Sequence, residues 1–61
     1  MKVRDVIRRL WDDGWYEIGI RGDHRQFKHL VKPGRVTVSG ALNDDVAPGT
    51  WNSIQRQAGW R

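Results

Sequence analysis

A chain of 61 residues without cysteine predicts one small domain, spanning residues 1–61, that neither disulfides nor thiolate-bound metal can stabilise. Lys and Arg outnumber Asp and Glu by 11 to 7, and this net charge of +4 predicts an anionic partner. Nucleic acid is the commonest such partner, but an acidic protein or an anionic membrane surface would satisfy the same charge. No apolar run approaches the roughly 20 residues that span a bilayer, and no signal peptide precedes the first helix, so we expect a cytoplasmic protein without a membrane segment.

The first segment has the spacing of an amphipathic helix. Apolar side chains recur at i, i+3, i+4, i+7 and i+8 from Val3 to Trp11, which places Trp11 on the core-facing stripe. Gly14 supplies the left-handed residue that commonly ends a helix. We interpret the basic side chains on the other side of this helix as a solvated face in preference to a binding stripe; they are Arg4, Arg8 and Arg9.

Three strands are expected next. Residues 15–21 and 25–30 are rich in aromatic and β-branched side chains, and Gly22 and Asp23 between them tolerate turn geometry, so a hairpin is predicted. The Pro33-Gly34 pair has the order of a type II turn, and residues 35–39 then alternate polar and apolar side chains. The three strands should form an antiparallel meander.

A second helix is expected to begin at Pro48 and to end at Gly59, with Trp51, Ile54 and Ala58 at helical spacing. The fold class is therefore α+β, an αβββα two-layer sandwich with both helices on one sheet face and the other face open.

The loop before this helix carries two adjacent carboxylates, Asp44 and Asp45, which we interpret as complementing the dipole at the helix N-terminus. Zinc spacings, phosphate-binding glycine loops and serine-nucleophile motifs are absent from the sequence. We expect neither a metal nor a cofactor.

Chemistry-bearing residues concentrate on the second strand. If Phe27 faces the core, alternation places Arg25 and His29 on the same side. The opposite, open side then carries His24, Gln26 and Lys28. On the core side, a hydrogen-bonded structural role is expected for His29. Trp60, beyond the second helix, is the tryptophan expected to be free for stacking on bases.

Cleavage of RNA without metal needs a group that takes the proton from the 2′-hydroxyl, one that protonates the leaving 5′-oxygen, and cations that stabilise the phosphate. Histidine can perform either proton transfer near neutral pH, so His24 is the candidate catalytic residue, although such a histidine is more often a plain surface residue. One imidazole can act as base and acid only in successive steps, so the general acid stays unassigned. The candidate RNA-binding cations are Lys28, expected as the main companion of the histidine, with Arg25, Arg21 and Arg35.

Five short segments follow one another along nearly the whole chain: Asp13-Gly14-Trp15, Gly22-Asp23-His24-Arg25-Gln26-Phe27-Lys28-His29, Val36-Thr37-Val38, Pro48-Gly49-Thr50-Trp51-Asn52-Ser53-Ile54 and Arg56-Gln57-Ala58-Gly59. In order and spacing they resemble the HicA family of toxin ribonucleases. The resemblance implies a double-stranded-RNA-binding-like fold, metal-independent cleavage of messenger RNA with arrest of translation and growth, and a HicB-like antitoxin that covers the site. It also implies that His24, at the histidine of the family's Gly-Ser-His motif, is catalytic.

Several positions depart from the family pattern. Asp23 replaces the usual serine and sets a carboxylate beside the catalytic histidine. Gly19 stands where many members carry a basic residue, so phosphate contact either passes to Arg21 or is absent. Leu30 stands where proline is common, and residues 39–41 lack the histidine that often follows the third strand.

Two other functions fit the same sequence. A double-stranded-RNA-binding-like module recognises the shape of A-form RNA through its phosphates without any chemistry. The basic surface could also serve only to dock an acidic protein.

Overall fold

The predicted order of elements is confirmed by a computed structural model, which describes all residues from 1 to 61. Helix α1 (Val3–Asp12) is followed by strands β1 (Trp15–Arg21), β2 (His24–His29) and β3 (Val36–Ser39), and helix α2 (Pro48–Gln57) comes last. The strands form one antiparallel sheet in the order β1-β2-β3, so β2 is the central strand. This is the αβββα, two-layer arrangement of the double-stranded-RNA-binding-like fold.

The core lies between the helices and one face of the sheet. Each of the ten buried residues is apolar, and they come from all five elements and the end of α2. From β2 only Phe27 is fully buried, and it shares one core cluster with Val36 and Val38 of β3 and Leu10 of α1. Because every buried sheet residue lies on this face, the opposite face is left open to solvent, as the alternation predicted.

Trp11 does not belong to this core, contrary to the expectation from helical spacing. Its side chain is 59% exposed, whereas Leu10 and Ile7 on the same helix are buried. The apolar stripe of α1 is centred on Val3, Val6, Ile7 and Leu10, and Trp11 lies at its edge, beyond the reach of the sheet.

Strand β1 contains a bulge. Glu17 pairs with Phe27 of β2, yet the next pair along the ladder is Gly19 with Gln26, so Ile18 is an extra residue without a partner. A bulge of this kind inserts one residue and shifts the alternation of the strand by one position. Gly19 therefore faces the open side of the sheet together with Gln26.

The loop that carries residues 44 and 45 contacts the start of the first helix and not that of the second. Asp45 forms an ion pair with Lys2 at 3.2 Å, and Oδ2 of Asp44 accepts a hydrogen bond from the backbone of Ala41. The backbone carbonyl of Asp44 also accepts from the N–H of Val3 at 2.9 Å. The expected role at the N-terminus of α2 is thus wrong, because the loop folds back on the start of α1.

A single carboxylate fastens the end of α1 to three other segments. Oδ2 of Asp13 accepts hydrogen bonds from the Lys32 ammonium at 2.6 Å and from the indole N–H groups of Trp15 and Trp60 at 3.0 Å each. The Lys32 contact, then the Trp60 contact, outweigh partial desolvation and lower the pKa of Asp13 from 3.8 to about 2. We call this group of four residues the Asp13 junction.

The junction corrects the expectation that Trp60 is free to stack on bases. Trp60 is partly buried against the core, and its ring lies 6.0 Å from that of Trp51. The guanidinium of Arg9 sits over both rings, 5.0 Å from the centre of Trp60 and 5.7 Å from that of Trp51. Arg9 therefore joins α1 to α2 and is not simply part of a solvated face.

His29 has the structural role expected from its core-side position. Its Nε2 lies 2.6 Å from the backbone carbonyl of Asp13, and its Nδ1 accepts hydrogen bonds from the backbone N–H groups of Val31 and Lys32. These contacts fit the neutral tautomer that carries its proton on Nε2. Gly14 leaves the space for the ring, since a Cβ there would lie 2.8 Å from Nε2.

Candidate active site

The candidate site lies on the face of the sheet that the helices leave uncovered. We call this the open face and define it by the residues that alternation and register place there: Tyr16, Gly19, Arg21, His24, Gln26, Lys28, Arg35, Thr37 and Ser39. No Asp or Glu belongs to this set, because Glu17 faces the helices and forms an ion pair with Arg25. The open face is therefore cationic apart from Asp23 in the turn at its end.

His24 opens β2 directly after the turn formed by Gly22 and Asp23. Its side chain is 58% exposed, and Nε2 lies 3.4 Å from Oδ1 of Asp23, whose side chain is 67% exposed. A pair this long and this exposed contributes little to stability and leaves the imidazole free to meet a ligand. The backbone carbonyl of Asp23 accepts from the N–H of Gly40 at 3.0 Å, which ties the turn to the end of β3.

The sheet register fixes the neighbours of His24. Arg21 is its partner on β1 and Ser39 its partner on β3. Directly paired side chains on one face have Cβ atoms about 4.5–5.5 Å apart, so the side chains of Arg21 and Ser39 begin on either side of His24. Arg21 makes no ion pair within the chain, so its charge is available to an anionic ligand.

Lys28 is on the same face as His24 but not beside it. Four residues of extended strand separate the two, which corresponds to about 13 Å along β2. Its partner across the sheet is Tyr16. Arg21, and not Lys28, is therefore the cation nearest to His24, and Lys28 can reach only a more distant part of a bound chain.

The two remaining predicted cations are divided between the faces. Arg35 precedes β3 and lines the open face beside Gln26. Arg25 is on the helix side, where its Nε lies 3.6 Å from the Glu17 carboxylate and a guanidinium nitrogen lies 3.5 Å from the carbonyl of Gly40. Because Arg25 is held by these contacts and is only 20% exposed, it has no direct access to the open face.

Sequence reasoning missed two features of the molecule. The pairing of Arg21 with His24 was missed, although the two-residue turn at Gly22 and Asp23 sets the residues on either side of it opposite each other. The Asp13 junction was also missed, although one acid within two residues of a tryptophan was a visible signal.

The side chains that could bind a metal ion are not grouped together. No group of three or more His, Asp or Glu side chains lies together anywhere in the chain. The open face therefore offers proton transfer and positive charge as its chemistry. Neither ten-residue helix has the length and apolar character that a membrane crossing requires.

A comparison with known protein families shows to which family the chain belongs. A family model described as the HicA toxin of bacterial toxin–antitoxin systems matches residues 3–60. The chain belongs to the HicA toxin family. The match covers both helices and all three strands, including His24 and the Asp13 junction. The comparison with curated proteins finds no significant match.

Membership makes this HicA-family chain the toxin half of a toxin–antitoxin pair. It therefore has a protein partner that restrains it. The open face carries an exposed imidazole and cations without ion pairs, and it is the candidate site for the toxic activity.

Proposed function

We propose that this toxin is a metal-independent ribonuclease that cleaves messenger RNA on the open face, with His24 as the residue that transfers protons. One observation carries the proposal. Of the two histidines, His29 is engaged by three backbone groups, while His24 is exposed and pairs across the sheet with Arg21, which forms no ion pair. The imidazole most able to reach a substrate is thus the one paired with a phosphate-binding cation.

The chemistry follows from this pairing. His24 takes the proton of a 2′-hydroxyl, whose oxygen attacks the adjacent phosphorus while the bond to the 5′-oxygen breaks. Arg21 stabilises the charge that develops on the phosphate oxygens. The 5′-oxygen receives a proton from solvent, and the products are a 2′,3′-cyclic phosphate and a free 5′-hydroxyl. Without an assigned general acid on the open face, we expect a slow enzyme.

The test is cleavage of messenger RNA by purified protein in the presence of a chelator, with His24→Gln as the variant and Arg8→Gln as the control. Arg8 is exposed on α1, away from the open face, and forms no ion pair. General acid–base catalysis typically contributes about 100-fold to 10,000-fold, so His24→Gln should lose at least about 100-fold while the control stays active. Equal activity of wild type and His24→Gln would remove His24 from the mechanism.

The second candidate is an RNA-binding module without chemistry. The free cations Arg21, Lys28 and Arg35 favour it, because they would hold phosphates whether or not a bond breaks. Salt-sensitive RNA binding by wild-type protein with no cleaved product would select this function. Partner binding that persists without any RNA affinity at low salt would instead select a purely protein-docking role.

We also propose that a HicB-like antitoxin neutralises the toxin by covering the open face. A domain with net charge +4 associates quickly with an acidic protein, and a partner seated on His24 would block the approach of RNA. Chemical modification of His24 by diethyl pyrocarbonate should be suppressed in the complex. An imidazole that reacts equally in free toxin and complex would refute occlusion.

A further inference from the structure

One glycine of the open face is required neither by the backbone nor by packing. Gly19 does not have a positive φ, unlike five other glycines of the chain. A Cβ built on it meets no atom within 4 Å. Glycine weakens a strand interior, and its presence often marks a place where another molecule approaches the backbone closely. The space above Gly19 is therefore a candidate site for a ligand.

That space is a depression of about 380 Å³ next to the bulge of β1. Sites for small ligands span about 300–1,000 Å³, so the depression can hold one planar ring system. The bulge shapes it, because the extra residue Ile18 shifts the strand and brings Gly19 opposite Gln26. The residues that line the depression are Ile18, Gly19, Ile20, Arg21, Gln26 and Arg35.

The polar groups of the depression are free to recognise a ligand. Gln26 is partly buried, lines the depression and makes no side-chain hydrogen bond within the chain. Arg21 and Arg35 also line it and form no ion pair. Guanidinium planes stack on bases and bind phosphates, and an amide presents one donor and one acceptor side by side.

We propose that the depression is a subsite for an unpaired adenine next to the phosphate that is cleaved beside His24. This inference rests on the proposed ribonuclease function and names the substrate as single-stranded RNA. Gln26 lies two residues beyond His24, about 7 Å along β2, so one nucleotide can place its phosphate at His24 and its base over Gly19.

Adenine is the base that fits the amide. Gln pairs in a bidentate manner with adenine, because its acceptor oxygen and donor nitrogen match an exocyclic amine beside a ring nitrogen. An arginine that read the base would favour guanine instead, but we assign Arg21 and Arg35, which also line the depression, to the phosphates on either side. The depression thus selects the base, and the cations hold the backbone.

Binding of equal-length oligoadenylate, oligocytidylate and oligouridylate tests the subsite in a His24→Gln background, which removes cleavage. Gly19→Leu should fill the depression and lower oligoadenylate affinity about tenfold, since stacking of one base is lost. Gly49→Leu is the matched control, because Gly49 of α2 also has no atom within 4 Å of a Cβ and lacks a positive φ. Thermal unfolding of both variants should match or exceed that of the parent.

Gln26→Ala tests recognition of the base separately from the filling of the depression that Gly19→Leu causes. It should abolish the preference for oligoadenylate over the pyrimidine oligomers while leaving salt-dependent binding intact. Equal affinity of the parent, Gly19→Leu and Gly49→Leu proteins for oligoadenylate would overturn the subsite, even if wild-type cleavage is intact. Wild-type protein that prefers oligoadenylate but cuts no RNA would refute the ribonuclease function and leave the subsite standing.

Discussion

Trp60 donates its indole N–H to Oδ2 of Asp13 at 3.0 Å, across 47 positions of sequence. The same oxygen accepts from Trp15 at the start of β1 and from Lys32 beyond β2. One carboxylate oxygen thus joins the end of α1 to the sheet and to the segment after α2. In a domain with only ten buried residues, a polar contact of this kind holds together parts that a small core cannot.

Replacement of Asp13 by asparagine should destabilise the fold. Asparagine keeps the size of the side chain but loses the charge that holds Lys32, and hydrogen bonds to charged groups contribute about 1.5–3 kcal/mol each. We expect a loss of about 2 kcal/mol in urea unfolding at neutral pH. Asp12→Asn is the control, since exposed Asp12 makes no side-chain contact, and it should change stability by less than about 0.5 kcal/mol. Equal stabilities would show that the junction is dispensable.

The junction also predicts how stability changes in acid. Because the pKa of Asp13 falls from 3.8 to about 2 on folding, the unfolded chain binds the proton first as pH drops. The stabilisation by Asp13 is complete above pH 4 and is lost between about pH 4 and pH 2. Thermal unfolding across this window should therefore show a steeper decline in the wild type than in Asp13→Asn. Parallel curves would contradict the lowered pKa.

Gly14→Ala should be among the most damaging single-methyl changes. The residue has φ of +97°, which side chains other than glycine rarely adopt, and the new Cβ would lie 2.8 Å from Nε2 of His29. His29 would be pushed from the carbonyl of Asp13. We expect a loss of about 2–3 kcal/mol, measured by denaturant unfolding. Gly49→Ala, which meets neither obstacle, is the control and should be neutral or stabilising.

Truncation of two adjacent residues of α1 should cost very different amounts of stability. Leu10 is fully buried, so Leu10→Ala should cost about 2–5 kcal/mol. Trp11 is the larger residue but is 59% exposed, so Trp11→Ala should cost less than about 1 kcal/mol. Thermal unfolding of the two variants decides the matter. A larger loss of stability for Trp11→Ala would show that Trp11 belongs to the core, as helical spacing predicted.

These cases show which parts of the fold could be predicted from the sequence. Local periodicity sufficed for the five elements, for burial of Phe27 and for the structural role of His29. It failed at Trp11 and Trp60, because the edge of a helical stripe and a contact across 47 residues depend on how the elements pack. For the site, the sequence placed His24 on the open face, and the two-residue turn implied its pairing with Arg21, whereas the bulge at Ile18 that turns Gly19 to the same face has no local signal.

Arg21 and Lys28 should differ in the kinetic parameter that they change. Arg21 pairs directly with His24, so Arg21→Ala should lower kcat by about 100-fold or more through loss of charge stabilisation at the scissile phosphate. Lys28 lies about 13 Å from His24, so Lys28→Ala should weaken RNA binding and reduce the slope of log affinity against log salt by about 1. Steady-state kinetics and a salt titration measure both. An equal fall in kcat for the two variants would contradict this division.

The bulge at Ile18 also bears on the behaviour of the toxin when it is alone. As the first strand of the order β1-β2-β3, β1 presents an uncovered outer row of backbone donors and acceptors, and Ile18 and Ile20 on it are exposed. A long regular edge of this composition would invite another chain to pair with it and begin a fibre. The extra residue breaks the spacing of that row in the middle of the strand, so the feature that opens the space above Gly19 also protects the free toxin from self-association.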